Sequence, residues 1–155
     1  MPTVIVAGGG TGGHIFPGIA IARAVAARVP RCEVIFAGTA RGLESRIVPA
    51  EGFRLMTIRS AGITGKSLLA RLKGLALIPV SLAQSLRLLG KAKPDLVIGV
   101  GGYASGPVLA AAVMRRIPTL IHEQNLVPGT TNRWIAPFVT QVVVTFEETI
   151  ALLGG

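Results

Sequence analysis

The 155-residue sequence is short of several things at once, and each shortage excludes something. It has a single cysteine, Cys32, so no intrachain disulfide can form, which fits a reducing compartment and excludes a disulfide-stapled scaffold. Seven acidic residues stand against sixteen basic ones, a net charge of +9, and so large an excess asks for anionic partners: nucleic acid, phosphate-bearing ligands or an anionic membrane surface. Aromatic residues make up 5% of the chain, with one tryptophan and one tyrosine. No basic-aromatic stacking array is visible, and this speaks against nucleic acid. No apolar run approaches the roughly 20 residues that span a bilayer, and the N-terminus lacks the basic segment and long apolar core of a signal peptide. The expectation is a cytosolic chain. No cluster with metal-ligand spacing occurs, so no metal and no cofactor is expected.

What is present is apolar. Half of the residues are hydrophobic, which excludes disorder, and the length suits about one domain with a real core. The charge is uneven. Between Glu51 and Asp95 there is no acid, while Arg54, Arg59, Lys66, Arg71, Lys73, Arg87, Lys91 and Lys93 fall in that block.

Apolar strand-like runs, of which VIVA, LVIGV and VVVT are continuously apolar, alternate with helix-like segments. Strands are expected near 3–7, 33–37, 54–58, 96–99, 119–122 and 141–145, and helices near 17–28, 42–48, 66–89, 105–115, 131–136 and from Thr149. This alternation predicts an α/β fold, a Rossmann-like parallel sheet with helices on both faces, as one domain over 1–155. The sequence stops soon after the sixth strand, as one half of a two-domain enzyme would.

In such sheets ligands sit beyond the carboxyl ends of the strands, and three loops expected there are unusual. The first is GGGTGGH, Gly8–His14, a glycine loop between a strand and a helix: it offers N–H groups to an anion, ends in a titratable side chain, and leaves room for a ligand or a second backbone segment. The second, GVGGYASGP, places Gly101 and Gly102 after the fourth strand, then Tyr103, and Ser105 as a capping residue for the next helix. The third is HEQN, His122–Asn125, followed by PGTTN. Both histidines of the chain thus fall on one edge.

Plainer readings stand beside these. The glycines could serve packing alone, His14 could satisfy a backbone group or cap the helix, and Tyr103 could only pack. His122 reads as a structural hydrogen-bonding residue, and Glu123 could simply pair with an arginine. Gly8-x-Gly10-x-x-Gly13 matches the dinucleotide fingerprint, but the second strand ends in Ala37-Gly38-Thr39 without the ribose-binding acid, since Glu33 lies at its other end. A nicotinamide dehydrogenase is therefore disfavoured. In the basic block, Leu68, Leu69, Leu72, Leu75, Leu82, Leu86 and Leu89 with Arg71, Lys73 and Arg87 fit either a core-facing helix with a solvated basic face or an interfacial element on anionic lipid. Pro79 should break or kink that helix midway.

The stretches GGGTGGHIFPGIAIA, GVGGYASGP and HEQNLVPGTTNRWIA, in this order, closely resemble the hallmark motifs of the MurG glycosyltransferase family, and the resemblance covers essentially the whole chain. It implies the N-terminal half of a GT-B glycosyltransferase, with the donor-binding C-terminal domain absent from this sequence. The implied reaction moves N-acetylglucosamine with inversion from UDP-N-acetylglucosamine to lipid I, undecaprenyl-diphospho-N-acetylmuramoyl-pentapeptide, in peptidoglycan synthesis. By the same resemblance His14 is the general base, and Thr11, Gly12, Gly13 and Asn125 approach the donor. The two glycine loops, with Gly101, Gly102, Tyr103 and Ser105, hold the acceptor diphosphate. Ile63, Lys66, Leu68, Leu69, Arg71, Leu72, Lys73 and Leu75 correspond to a membrane-association patch at the cytoplasmic face of the bacterial membrane. Ala104 stands where a larger aliphatic residue is common. The alternative is a non-catalytic membrane-docking subunit of a split glycosyltransferase.

Overall fold

The computed structural model describes residues 1–62 and 68–154, with side chains in the second stretch from residue 74 onward. Among the described residues six strands form one sheet: β1 (Thr3–Ala7), β2 (Glu33–Gly38), β3 (Arg54–Thr57), β4 (Leu96–Gly99), β5 (Thr119–Glu123) and β6 (Gln141–Val144). Every pairing is parallel, in the order β3-β2-β1-β4-β5-β6. The helices between them are α1 (Gly12–Arg28), α2 (Glu44–Ala50), α3 (Leu68–Ala92), α4 (Ser105–Met114), α5 (Thr130–Ile135) and α6 (Thr149–Leu152), with a 3₁₀ turn at Ala136–Phe138.

Strand residues alternate between two cores, as the two-residue period of a strand requires. Val4, Val6, Val34, Phe36 and Ile98 face Ile15, Ile19 and Ala22 of α1 and Val48 of α2. Ile5, Ala7, Ile35, Ala37, Val97 and Ile121 face Leu88 and Leu89 of α3 and Val108, Leu109, Ala111 and Ala112 of α4. Helices on both faces explain why the strands read as unbroken apolar runs.

The strand order fixes where a ligand can lie. The chain builds outward from β1 to β3, returns through α3, and builds the other way from β4 to β6. The loops after β1 and β4 therefore lead to helices on opposite faces, and the carboxyl edge between them is the switch point at which sheets of this kind take a ligand.

Two expectations are corrected. Helix α1 begins at Gly12, not near Pro17, so Gly12, Gly13 and His14 form its first turn and Pro17 lies inside it. Pro17 has no N–H to give the carbonyl four residues back, and that carbonyl, of Gly13, instead accepts a hydrogen bond from Gln124 Nε2 at 3.0 Å. Helix α3 is likewise not broken at Pro79. Pro79 lies on its exposed side, where an unpaired carbonyl can meet water, while Gly74, Ser81, Ser85, Leu88 and Leu89 are buried.

Candidate active site

The glycine run divides into two halves with different duties. Its first half is filled from within the protein. A Cβ on Gly9 would stand 2.4 Å from the Glu44 carboxyl carbon, and one on Gly10 would stand 2.5 Å from the Tyr103 ring. Gly102 meets the carbonyl of Gly9 in the same way, at 2.2 Å. These glycines let the first and second loops interlock. The second half is more open: a Cβ on Gly12 would meet only the exposed Phe16 ring, at 3.2 Å, and one on Gly13 nothing closer than the Thr11 hydroxyl at 3.8 Å. Gly12 and Gly13 thus present the first turn of α1, the positive end of a 17-residue helix, at the crevice.

Glu44 supports this loop from below. It opens α2, is 1% exposed, and accepts hydrogen bonds from Gly10 N (2.9 Å), Thr39 N (2.9 Å) and Thr39 Oγ1 (2.7 Å). Burial alone would raise its pKa, but these hydrogen bonds to the ionised form outweigh it and hold the carboxyl below the usual range.

His14 stands where the loops meet. Its Nδ1 lies 2.9 Å from Thr11 Oγ1. Its other edge abuts the second loop, where a Cβ on Gly101 would come within 2.9 Å of Nε2. Gly101 and Gly102 hold φ of +93° and +84°, so the turn that makes room for the imidazole needs glycine for its backbone as well as for space. Burial pushes the His14 pKa below its ordinary value, against an opposing pull from the Glu123 charge, so the ring is neutral at pH 7.

Glu123, the last residue of β5, is also 1% exposed. Among the described residues it does not pair with an arginine. Oε1 accepts from Asn125 N (3.0 Å) and Asn125 Nδ2 (2.9 Å), and Oε2 accepts from Gly129 N (3.0 Å) and Asn132 Nδ2 (2.9 Å). One carboxylate thereby ties three points of the third loop together. Burial again would raise its pKa, and these four bonds hold it below the usual range.

The sequence-derived residues are therefore not equivalent. Thr11, Gly12, Gly13, His14, Gly101, Gly102 and Tyr103 come together at the crevice. Asn125 joins them through Glu123. Ser105 does not cap α4 with its side chain: Ala104 is the capping residue, and the Ser105 hydroxyl is fully buried with no partner among the described residues. His122 takes part in hydrogen bonding through its backbone carbonyl, which accepts from Asn132 Nδ2 at 3.3 Å; among the described residues its buried Nδ1 has no partner. Ile63 and Lys66 lie outside the described residues, as do the side chains of Leu68, Leu69, Arg71, Leu72 and Lys73. Leu75 is 50% exposed, and Ile78 and Val80 beside it are similarly open.

Glu44, Gln124 and Asn132 were not singled out as functional residues from the sequence. An acid opening a helix is ordinary, so nothing marked Glu44. Pro17 was the available clue to Gln124, since a proline inside a helix leaves a carbonyl in want of a donor.

A family model described as the glycosyltransferase family 28 N-terminal domain matches residues 4–144. The UDP-N-acetylglucosamine--N-acetylmuramyl-(pentapeptide) pyrophosphoryl-undecaprenol N-acetylglucosamine transferase of Myxococcus xanthus is 52% identical over 96% of this chain and 39% of its own length. The protein of the same name from Bdellovibrio bacteriovorus is 53% identical over 98% of this chain and 43% of its own. Among solved structures, MurG of Acinetobacter baumannii superposes with a TM-score of 0.84 at 32% identity, covering 96% of this chain and 43% of that one. The chain spans about two fifths of the length of the curated relatives it matches.

Proposed function

From its membership of glycosyltransferase family 28, whose N-terminal domain this chain carries, we propose that it is the acceptor-side half of an inverting transferase. The substrates are UDP-N-acetylglucosamine and lipid I, and the product is lipid II. The observation that carries this reading is the setting of His14: a neutral imidazole at the open first turn of a helix, in a switch-point crevice, with one nitrogen engaged.

The chemistry follows from that setting. The acceptor hydroxyl oxygen bonds to the anomeric carbon as the bond from that carbon to the UDP oxygen breaks. The hydroxyl proton goes to Nε2 of His14, in the tautomer whose Nδ1–H is donated to Thr11 Oγ1. Gly12 and Gly13 N–H groups at the start of α1 supply positive potential for diphosphate oxygens. The donor's other contacts fall to the part of the transferase beyond this chain.

A hybrid tests the reading: this chain in place of the matching first part of the Myxococcus xanthus relative, assayed for sugar transfer to lipid I. Transfer that falls at least ~100-fold in the His14→Ala hybrid is expected. A folded hybrid that transfers nothing, or one indifferent to His14, overturns it.

The same reading puts the chain on the cytoplasmic membrane surface. Leu75, Ile78 and Val80 are 50%, 44% and 40% exposed on α3, within the acid-free basic block. That combination suits insertion of apolar side chains among anionic headgroups. Sedimentation with anionic vesicles, weakening with salt, is expected; equal binding to neutral vesicles argues against the electrostatic part.

A further inference from the structure

The structure assigns to Gln124 the positioning of the His14 turn: its amide captures the Gly13 carbonyl that Pro17 leaves without a helical partner. In an α-helix the carbonyl of residue 13 receives the N–H of residue 17. Residue 17 is proline, so that acceptor is open. Gln124 reaches across 111 residues of sequence and donates to it at 3.0 Å. The same Nε2 lies 3.4 Å from the carbonyl of Val100, at the start of the second loop. Two carbonyls facing one end of the amide fix which atom is nitrogen, because oxygen there would oppose both.

The captured carbonyl belongs to the peptide group that joins Gly13 to His14. Holding that plane sets the Cα–Cβ direction of His14, and with it the place of the imidazole beside Gly101. A single –NH₂ group thus joins all three loops: it sits on the third, bonds the first and touches the second. An internal helical bond would satisfy the carbonyl equally well but tie it to nothing outside α1. The proline makes the first turn depend on the residue that follows β5. This role for Gln124 rests on the reading of His14 as the base.

The pair Pro17–Gln124 forms a testable cycle in the 155-residue chain. Gln124→Met keeps the volume and removes the donors; Gln124→Ala is the second variant should the first pack badly. Pro17→Ala returns an N–H to the Gly13 carbonyl. With Pro17 present, Gln124→Met is expected to lower Tm by about 3–6 °C. With Pro17→Ala the same change is expected to cost less than about half as much. The second readout is the imidazole NMR titration of His14, assigned by its loss in His14→Gln among two histidines. Gln124→Met is expected to move the His14 pKa up toward about 6.5 as the loosened turn admits water, and Pro17→Ala to reverse the move. Equal Tm losses in both backgrounds overturn the capture. A Tm coupling with an unmoved His14 titration overturns the positioning. Neither readout needs substrate, so they succeed or fail independently of the hybrid transfer assay.

Discussion

Glu44 and Glu123 are two buried carboxylates at the foot of one crevice, equal in exposure and opposite in design. Among the described residues neither sits in a salt bridge; each is satisfied by N–H and hydroxyl donors. Glu44 lies among missing side chains, for a Cβ on Gly9, Gly38 or Gly42 would collide with it at 2.4, 2.6 or 2.1 Å. It fills the floor under the first loop and holds that loop by one bond, to Gly10. Glu123 occupies no such nest. It gathers Asn125, Gly129 and Asn132 and lends its charge to His14. The difference teaches that a buried charge can shape a loop or organise one, and that its donor pattern tells which.

The largest expected effect comes from making each one an amide. Glutamine replaces one acceptor oxygen with a donor. Both oxygens of Glu123 receive two donors, one of them a backbone N–H, so in Glu123→Gln either orientation of the new amide sets an –NH₂ against a backbone N–H. Oε2 of Glu44 receives only Gly10 N, so in Glu44→Gln the amide can turn and lose a single bond. Glu123→Gln should cost about 3 kcal/mol in urea unfolding and Glu44→Gln about 1–2 kcal/mol. Equal costs break the comparison.

Acid is the next lever. Both carboxyls are held below their usual range in the folded chain. The stability they confer is present above the unfolded pKa of about 4.3 and is lost as pH falls through the lower folded values. The urea midpoint should fall between about pH 5 and pH 3 in the parent chain. The fall should be shallower in Glu123→Gln, because one of the two titrating groups is gone; an unchanged slope assigns the acid loss elsewhere.

The smallest effect separates the two most sharply. Glu123 pulls the His14 pKa up against burial, so Glu123→Gln should lower it further by NMR titration, and Glu44→Gln should leave it where it is. The folded His14 value lies below the unfolded one, so its protonation disfavours the fold as pH drops beneath about 6.5. That effect should deepen in Glu123→Gln alone. A shift in both variants, or in neither, removes the distinction.

Much of this arrangement was legible beforehand, and the rest failed for definable reasons. The strands were readable because most are apolar runs and even the edge strand β3, Arg-Leu-Met-Thr, has an apolar centre, and their expected ranges match to within a residue. Helix α1 was misplaced by five residues because Pro17 reads as a first-turn proline, and the sequence does not show that Gln124 takes the carbonyl it frees. The loops were visible as loops, but a glycine against Tyr103 and a glycine open to solvent look alike in sequence. Glu44 and Gln124 act on partners 34 and 111 residues away, beyond the reach of any local pattern.

The order of strands also sets when the crevice comes into being. Its two walls follow β1 and β4, and those strands meet only after the chain has run out to β3 and back. Thr3 N then reaches Asp95 Oδ2 across 92 positions. The clasp on the Gly13 carbonyl closes later still, once residue 124 is in place. Contacts so distant in sequence must close long loops before they are rewarded, and they form late. A nascent chain leaving the ribosome therefore carries an unclasped glycine turn and an unset histidine through most of its synthesis, and gathers its three loops only as the sheet completes.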